Sequence, residues 1–262
     1  MAEDVTDRLH VKQGRSIARW SLTSDSGASL VVFLKRHYIL PRRWGLLAAL
    51  FPGSAWSPGR EEWEHLEWAR EAGLPVPRTV AVAEWLGPWG KLTGFLAVEE
   101  LTDMLPLHEA IPLAQQRLSA QEFASWKRGL IAELARLSRE LHKRRAFHKD
   151  LYLCHFYIRD SDTAMSPGSW TDRVVMIDFH RLGLHRFTWG WWAVKDLAQL
   201  LYSSDVAGVT ARDRVRFWKL YRAGDWGTAT PTPRWVRSGV LAKWRIYERQ
   251  KARRTARKMR TE

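Results

Sequence analysis

The sequence predicts an α+β fold in two lobes: a small N-terminal sheet carrying one helix, then a larger, mainly helical C-terminal part. Three observations predict it. The first hundred or so residues alternate short apolar runs with turn residues around one helical stretch. After Leu101 the apolar spacing changes to three and four. In that second part Asp150 and Asp178 stand at the ends of two short apolar runs, 28 positions apart.

The elements follow in order. Ser16 to Thr23 and Leu30 to Lys35 read as paired strands around the turn-rich Ser24-Asp25-Ser26-Gly27. A helix is expected from about Arg60 to Glu71, with Pro58 ahead of it and Gly73 just past its end. Pro75 and Pro77 confine the chain to an extended link. Arg78 to Trp85 and Gly94 to Glu99 complete the strands. Beyond Leu101, the residues Phe123, Trp126, Leu130, Leu134, Leu137 and Leu141 form one apolar stripe. It ends in Lys143-Arg144-Arg145, cations that a helix C-terminus favours. Ser161 to Thr171, with Pro167 and Gly168, is expected to be a loop linking two short strands that carry Asp150 and Asp178 at their ends. Further helices are expected around Trp192 to Tyr202 and Ala211 to Tyr221. A last amphipathic helix, with Val236, Val240, Leu241, Trp244 and Tyr247 on one face, leads into a basic tail. The expected division is residues 1–101 and 102–262, the tail occupying 234–262.

Composition bounds the classes. At 262 residues, 45% apolar and 27% charged, the chain can bury a full core. Cys154 is the only cysteine, so no disulfide forms within the chain and a reducing, cytoplasmic interior is expected. The N-terminus, with Glu3, Asp4 and Asp7, lacks a signal pattern, and no run reaches the roughly 20 apolar residues of a spanning helix. The formal charge is +14, and residues 234–262 carry +9 of it, eleven Lys or Arg against two Glu. Sixteen tryptophans are many, and several adjoin a cation, as in Arg43-Trp44 and Lys243-Trp244. Half-buried packing accounts for such pairs, and so does a surface that meets lipid headgroups. No recognition motif supports a nucleic-acid partner, and none is expected.

Two carboxylates on short strands suit phosphoryl transfer: one accepts the proton of an attacking hydroxyl, the other holds the metal that neutralises the triphosphate. In His148-Lys149-Asp150 and Ile177-Asp178-Phe179 the chain resembles protein kinases, whose pattern is His-x-Asp, an Asn five positions on, then Asp-Phe-Gly. Here His155 replaces the Asn and His180 the Gly. Asp150 is the expected base and Asp178 the expected metal ligand. His155 either ligates the metal or orients Asp150 or a phosphate. Lys35, ending the apolar run Leu30 to Leu34, suits the nucleotide phosphates if an acidic residue holds it. Of Glu61, Glu62 and Glu64, the spacing favours Glu62. A covering loop is weakly signalled by Lys12-Gln13-Gly14-Arg15-Ser16, with one glycine. Lys195-Asp196-Leu197-Ala198 offers a buried aspartate opening a helix and bracing the catalytic stretch.

Taken together these residues resemble the lipopolysaccharide core kinases, the Kdo and heptose kinase family with a protein-kinase-like fold, and within it the heptose I kinase branch. The likeness continues in Leu34-Lys35-Arg36-His37-Tyr38, in Leu151-Tyr152-Leu153-Cys154-His155-Phe156, in His180-Arg181 and in Arg212 to Phe217. It implies an ATP- and Mg2+-dependent kinase acting on an inner-core heptose hydroxyl. It also implies an N-terminal nucleotide-binding lobe and a C-terminal catalytic lobe, with Lys35, Glu62, Gly14 and the hinge residues Glu100 and Leu101 on the nucleotide. Asp150 would be the base, Asp178 and His155 the metal ligands. The acceptor would be core glycolipid, with the tail held on the anionic cytoplasmic face of the inner membrane. A kinase for another small molecule or a protein, or a pseudokinase binding module, are the rival expectations.

Overall fold

In the computed structural model the chain divides between Thr102 and Asp103 into two compact units. The structure describes residues 8–10, 15–25, 27–51, 53–227, 229 and 231–258.

The first unit is an antiparallel sheet. Strand β1 (Arg8–His10) pairs with β2 (Arg15–Thr23), which forms a hairpin with β3 (Ser29–His37). The turn closes through Gly27, whose φ of +81° lies in the left-handed region a side chain resists. Two helices follow, α1 (Arg42–Leu50) and α2 (Pro58–Glu71), then β4 (Thr79–Gly87) and β5 (Lys91–Glu99). The sheet order is β1-β2-β3-β5-β4, with Lys35 opposite Leu96. The expectation of one helix is corrected: α1 is a second. The residue just before it, Pro41, makes no side-chain cap and the helix's only buried residue is Gly45, so neither capping nor apolar spacing announces it. Helix α2 carries the signals α1 lacks. Ser57 accepts from the Arg60 amide, Pro58 is its first residue, and Gly73 at φ +73° follows its end. Its inner face buries Glu62, Leu66 and Ala69, a carboxylate set in an apolar stripe.

The second unit is mainly helical. Strand β6 (Met104–Pro106) leads into α3 (Leu107–Arg117) and α4 (Ala120–Lys143). A capping box between Ser119 and Glu122 starts α4, and its apolar stripe is buried along its whole length. Four short strands come next, β7 (Ala146–Phe147), β8 (Phe156–Arg159), β9 (Val175–Met176) and β10 (Gly183–Leu184), with helical turns between them. They form two small sheets, β6-β8-β9 and β7-β10. The loop at 161–171 joins β8 to β9, and Asp150 follows β7 instead of ending the strand before that loop. A two-residue strand is too short to leave an alternation that sequence reading can place. Helices α5 (Trp189–Ser203), α6 (Ala211–Ala223) and α7 (Arg234–Lys258) complete the unit. Val236 and Val240 of α7 join a core with Ala193, Val194 and Leu197 of α5 and Tyr221 of α6. The helix then continues through the basic segment to Lys258.

Candidate active site

In the first unit the chemistry is one ion pair. Strand β3 points Lys35 toward α2, and its Nζ lies 2.6 Å from Glu62 Oε1. Glu62 is buried, whereas Glu61 and Glu64 are exposed. A buried carboxylate needs a cation, and Lys35 supplies it while keeping part of its ammonium accessible. At the end of β5, Glu100 forms a two-bond fork with Arg19 at 2.7 and 2.8 Å, and that guanidinium holds its carboxyl below the usual range. The Glu100 amide donates to the Val31 carbonyl. Gly14 lies outside the described residues.

In the second unit one helix face organises the catalytic stretch. Asp196, Gln199 and Ser203 of α5 lie three and four residues apart, on one side of the helix. Asp196 accepts from the amides of His148 (2.9 Å) and Lys149 (2.8 Å), Gln199 from Leu151 (3.3 Å), and Ser203 from Leu153 (2.8 Å). Asp196 therefore braces the loop from the second turn of α5 rather than from its opening residue. His142 approaches the same carboxylate at 3.3 Å and bonds Tyr221, which bonds Thr232. The fully buried chain ties α4, α5 and α6 to the loop. Sequence reasoning missed Gln199 and Ser203, although polar residues at that spacing on an apolar helix were visible.

Within this frame Lys149 (φ +65°) and Asp178 (φ +67°) both adopt the left-handed region. Such backbone is held by its surroundings, and here those are the Asp196 bonds and His148, whose ring donates to the Ile177 carbonyl at 2.9 Å. Burial pushes the His148 imidazole below its ordinary pKa, so it is a neutral spoke between loop and strand. The Ile177 amide returns a bond to the His155 carbonyl at 3.0 Å. Asp150 and Asp178 are brought to one site by these ties.

His155 sits between them. Its Nδ1–H donates to the Asp150 carbonyl at 2.7 Å, which turns Nε2 toward Asp178 Oδ2, 3.6 Å away. A ligand imidazole is commonly oriented by such a bond from its other nitrogen. Burial opposes charge on His155, but Cys154, the Asp150 carbonyl and Asp178 outweigh it, and the imidazole pKa lies above its usual value. His180 donates to the other Asp178 oxygen at 2.5 Å. Among the described residues no three His, Cys, Asp or Glu side chains gather tightly enough to hold a metal alone. Of these groups Asp178 is the oxygen donor that suits magnesium, which takes one or two carboxylates with water and substrate phosphates as the rest, whereas imidazole is a poorer donor for it.

Cations surround Asp150. Arg181 Nη1 lies 3.0 and 3.2 Å from its two oxygens, and Gln199 Nε2 3.4 Å from one. Lys149 and Lys195 lie over the Trp192 ring at 5.0 and 5.5 Å. Burial and then Arg181 hold the Lys195 ammonium below the ordinary lysine value. Elsewhere in this unit an apolar cavity of about 200 Å³ is lined by Leu130, Leu134, Leu197, Leu200, Phe217 and Val240, among others.

Residues 55–221 match the model of the lipopolysaccharide kinase (Kdo/WaaP) family. The chain belongs to that family. It is 30% identical over 162 residues to the lipopolysaccharide core heptose(I) kinase WaaP of Pseudomonas aeruginosa, covering 62% of this chain and 58% of that protein. The Escherichia coli protein of the same name is 30% identical over 163 residues, 62% of this chain and 59% of that one. A solved structure of WaaP in complex with acyl carrier protein superposes with a TM-score of 0.64 at 27% identity, covering 95% of this chain and 89% of that chain. The α+β kinase-like fold of this family is the architecture described above. The matched segment spans under two thirds of either curated relative.

Proposed function

We propose that the chain is a kinase that transfers the γ-phosphate of ATP to a sugar hydroxyl of the lipopolysaccharide inner core, a heptose in particular. The observation that carries this is the loop geometry: Asp150 and Asp178 are locked together by His148 and His155, on a chain whose family consists of lipopolysaccharide kinases. Asp150 accepts the acceptor hydroxyl's proton as the oxygen attacks the γ-phosphorus, and the γ-phosphate's bond to ADP breaks. Arg181, half exposed, swings off the two Asp150 oxygens to admit the hydroxyl, and an anionic group on the core sugars suits the displaced guanidinium and Lys195. Asp178 and His155 hold magnesium, which when bound neutralises charge on the transferring phosphoryl group. Lys35, kept in place by Glu62, takes the α- and β-phosphates. The Glu100 amide is already bonded to Val31, so of the two hinge residues Leu101 carries the adenine contact. The name of the curated relatives supports the acceptor, and no helix among the described residues is long and apolar enough to cross a membrane. The basic tail then holds the enzyme on the anionic membrane that carries the glycolipid.

An acyl carrier protein is a second expected partner. The structural relative was solved with one, and the apolar cavity between α4, α5, α6 and α7 has the chemistry of a site for an acyl chain.

The test is phosphate transfer from Mg-ATP to dephosphorylated core lipopolysaccharide, to free heptose and to a generic protein. Transfer to the core glycolipid, lost in Asp150→Ala with the melting temperature kept, is the expected result. Transfer to the protein alone would establish the rival kinase reading, and ATP binding without transfer to anything would make the chain a binding module.

A further inference from the structure

Between Arg36 and Arg60 the chain contains four arginines and not one aspartate or glutamate. This stretch holds α1, and the helix is placed in an unusual way. Its single buried residue, Gly45, faces the tip of the β4–β5 hairpin so closely that a Cβ there would overlap the Gly90 carbonyl. The helix is thus seated on the hairpin through backbone, and its apolar side chains are left over. Leu46 is 58% exposed, Leu50 71% and Phe51 59%, and Ile39 just ahead of the helix is 74% exposed. The helix end is pinned rather than frayed, because Trp56 Nε1 donates to the Phe51 carbonyl at 3.1 Å.

The hairpin tip completes the patch. Trp89 adopts φ +59° and ψ +30°, a left-handed conformation that bulky residues avoid, and its indole is 89% exposed. Nothing in the packing of the hairpin requires a tryptophan there. Arg42 and Arg43 begin the helix on one side of the tip, and Lys91 follows it on the other.

An exposed apolar set of this extent marks an interaction surface. Its chemistry selects among occupants. A second copy would bring the same excess of positive charge, Arg42, Arg43 and Lys91, against it, which opposes self-association. An anionic bilayer answers every feature: leucine and phenylalanine enter the boundary of the acyl chains, tryptophan sits at the headgroup level, and arginine meets lipid phosphate. A short helix lying in the interface plane is enough for this, since no spanning length is needed. We propose that α1 with the β4–β5 tip is a docking face for an anionic lipid membrane, separate from the basic tail. The proposal does not depend on phosphotransfer, and its test needs no turnover.

The experiment is vesicle co-sedimentation of the full chain. The probes are phosphatidylglycerol–phosphatidylethanolamine vesicles, with pure phosphatidylcholine vesicles as the neutral reference. The variant Leu50→Asp/Trp89→Asn removes apolar bulk at exposed positions. Asparagine tolerates the left-handed backbone, so the tip keeps its conformation, and an unchanged circular-dichroism melt verifies it. The double variant is expected to lose about tenfold or more in partition to anionic vesicles. A chain truncated after Gln250 keeps a component of binding that persists at high salt, because burial is not screened as charge is. Unchanged partitioning of the double variant would overturn the proposal. So would light scattering that shows a dimer dissolved by the same two substitutions, since the face would then belong to a second copy.

Discussion

Asp196 is the residue on which the site's geometry turns, and its removal has a calculable cost. Its carboxylate is fully buried and accepts two backbone amides, at 2.9 and 2.8 Å, with His142 at 3.3 Å. Truncation to alanine leaves three donors in the core without an acceptor, each costing about 1–3 kcal/mol. The strained Lys149 backbone, unfavourable by roughly 1 kcal/mol, also loses its restraint. Asp196→Ala is therefore expected to destabilise by about 3–9 kcal/mol, a large part of the roughly 5–15 kcal/mol of a typical domain. At about 2–4 °C per kcal/mol for a unit of this size, the melting temperature falls by at least roughly 6 °C and by up to about 36 °C. Asp196→Asn keeps one carbonyl oxygen but turns an NH2 group toward a donor, so its loss is about half as large. The assays are thermal and urea unfolding, with hydrogen exchange at His148 and Lys149 as the local readout. Both amides should lose protection in the asparagine variant while α4 retains it. Transfer should slow with nucleotide affinity unchanged, because Lys35 and Glu62 belong to the other unit. An alanine variant that melts within a degree or two of the parent, with protected amides at 148 and 149, would refute the bracing role.

Three other outcomes are expected. Lys35→Met leaves Glu62 buried without its cation and costs about 3 kcal/mol. Lys35→Met/Glu62→Met recovers most of that, yet neither variant binds nucleotide; titration calorimetry and melting separate the two effects. Burial disfavours charge on Asp213, but Lys127 at 2.7 Å and the Thr210 cap outweigh it and hold its pKa below the usual range. A depressed carboxylate stabilises above its unfolded value of about 3.9 and loses that contribution as pH falls through the folded one. Asp213→Asn should thus cost about 1–2 kcal/mol at neutral pH and almost nothing near pH 2, and a gap in melting temperature that persists in acid would contradict this. Finally, Gly129→Ala drives a Cβ into the indole of buried Trp170 and should cost about 1–3 kcal/mol. Gly168→Ala meets nothing within 4 Å and should be neutral or slightly stabilising by the same denaturation assay.

Much of the fold was legible because its long elements carry redundant signals. Helix α4 combines a capping box, a continuous apolar stripe and a basic end, and α2 combines a serine cap, a first-turn proline and a following glycine. Each agrees with burial, so reading any one would have sufficed. Helices α1 and α3 were missed for opposite reasons. Helix α1 buries only a glycine, so it leaves no stripe. Helix α3 is well buried through Leu107, Ala110, Ile111 and Ala114, but it contains Pro112 and its N-terminal neighbour, Pro106, makes no side-chain cap. Pro112 is the sixth residue of the helix, past the first turn, so it removes an intrahelical hydrogen bond, and in a sequence it reads as a break.

The site divides along the same line. Lys35, Asp150, His155 and Asp178 could be named because they are chemistry-bearing side chains at a spacing that phosphoryl transfer would need. What holds them in place is mostly invisible in a sequence, because it acts on backbone. The left-handed conformations of Lys149 and Asp178 fall on residues that ordinarily avoid them, so nothing in the residue types predicts them. Their cost is met by Asp196 and His148, residues that come from different elements and bond to amides and a carbonyl rather than to side chains. His155 shows how the two kinds of information meet. Spacing alone left it either a metal ligand or an orienting group. In the structure its Nδ1 bonds the Asp150 carbonyl and its Nε2 lies 3.6 Å from Asp178 Oδ2, so one ring reaches both aspartate segments. An asparagine side chain at that position presents its amide on a shorter stem.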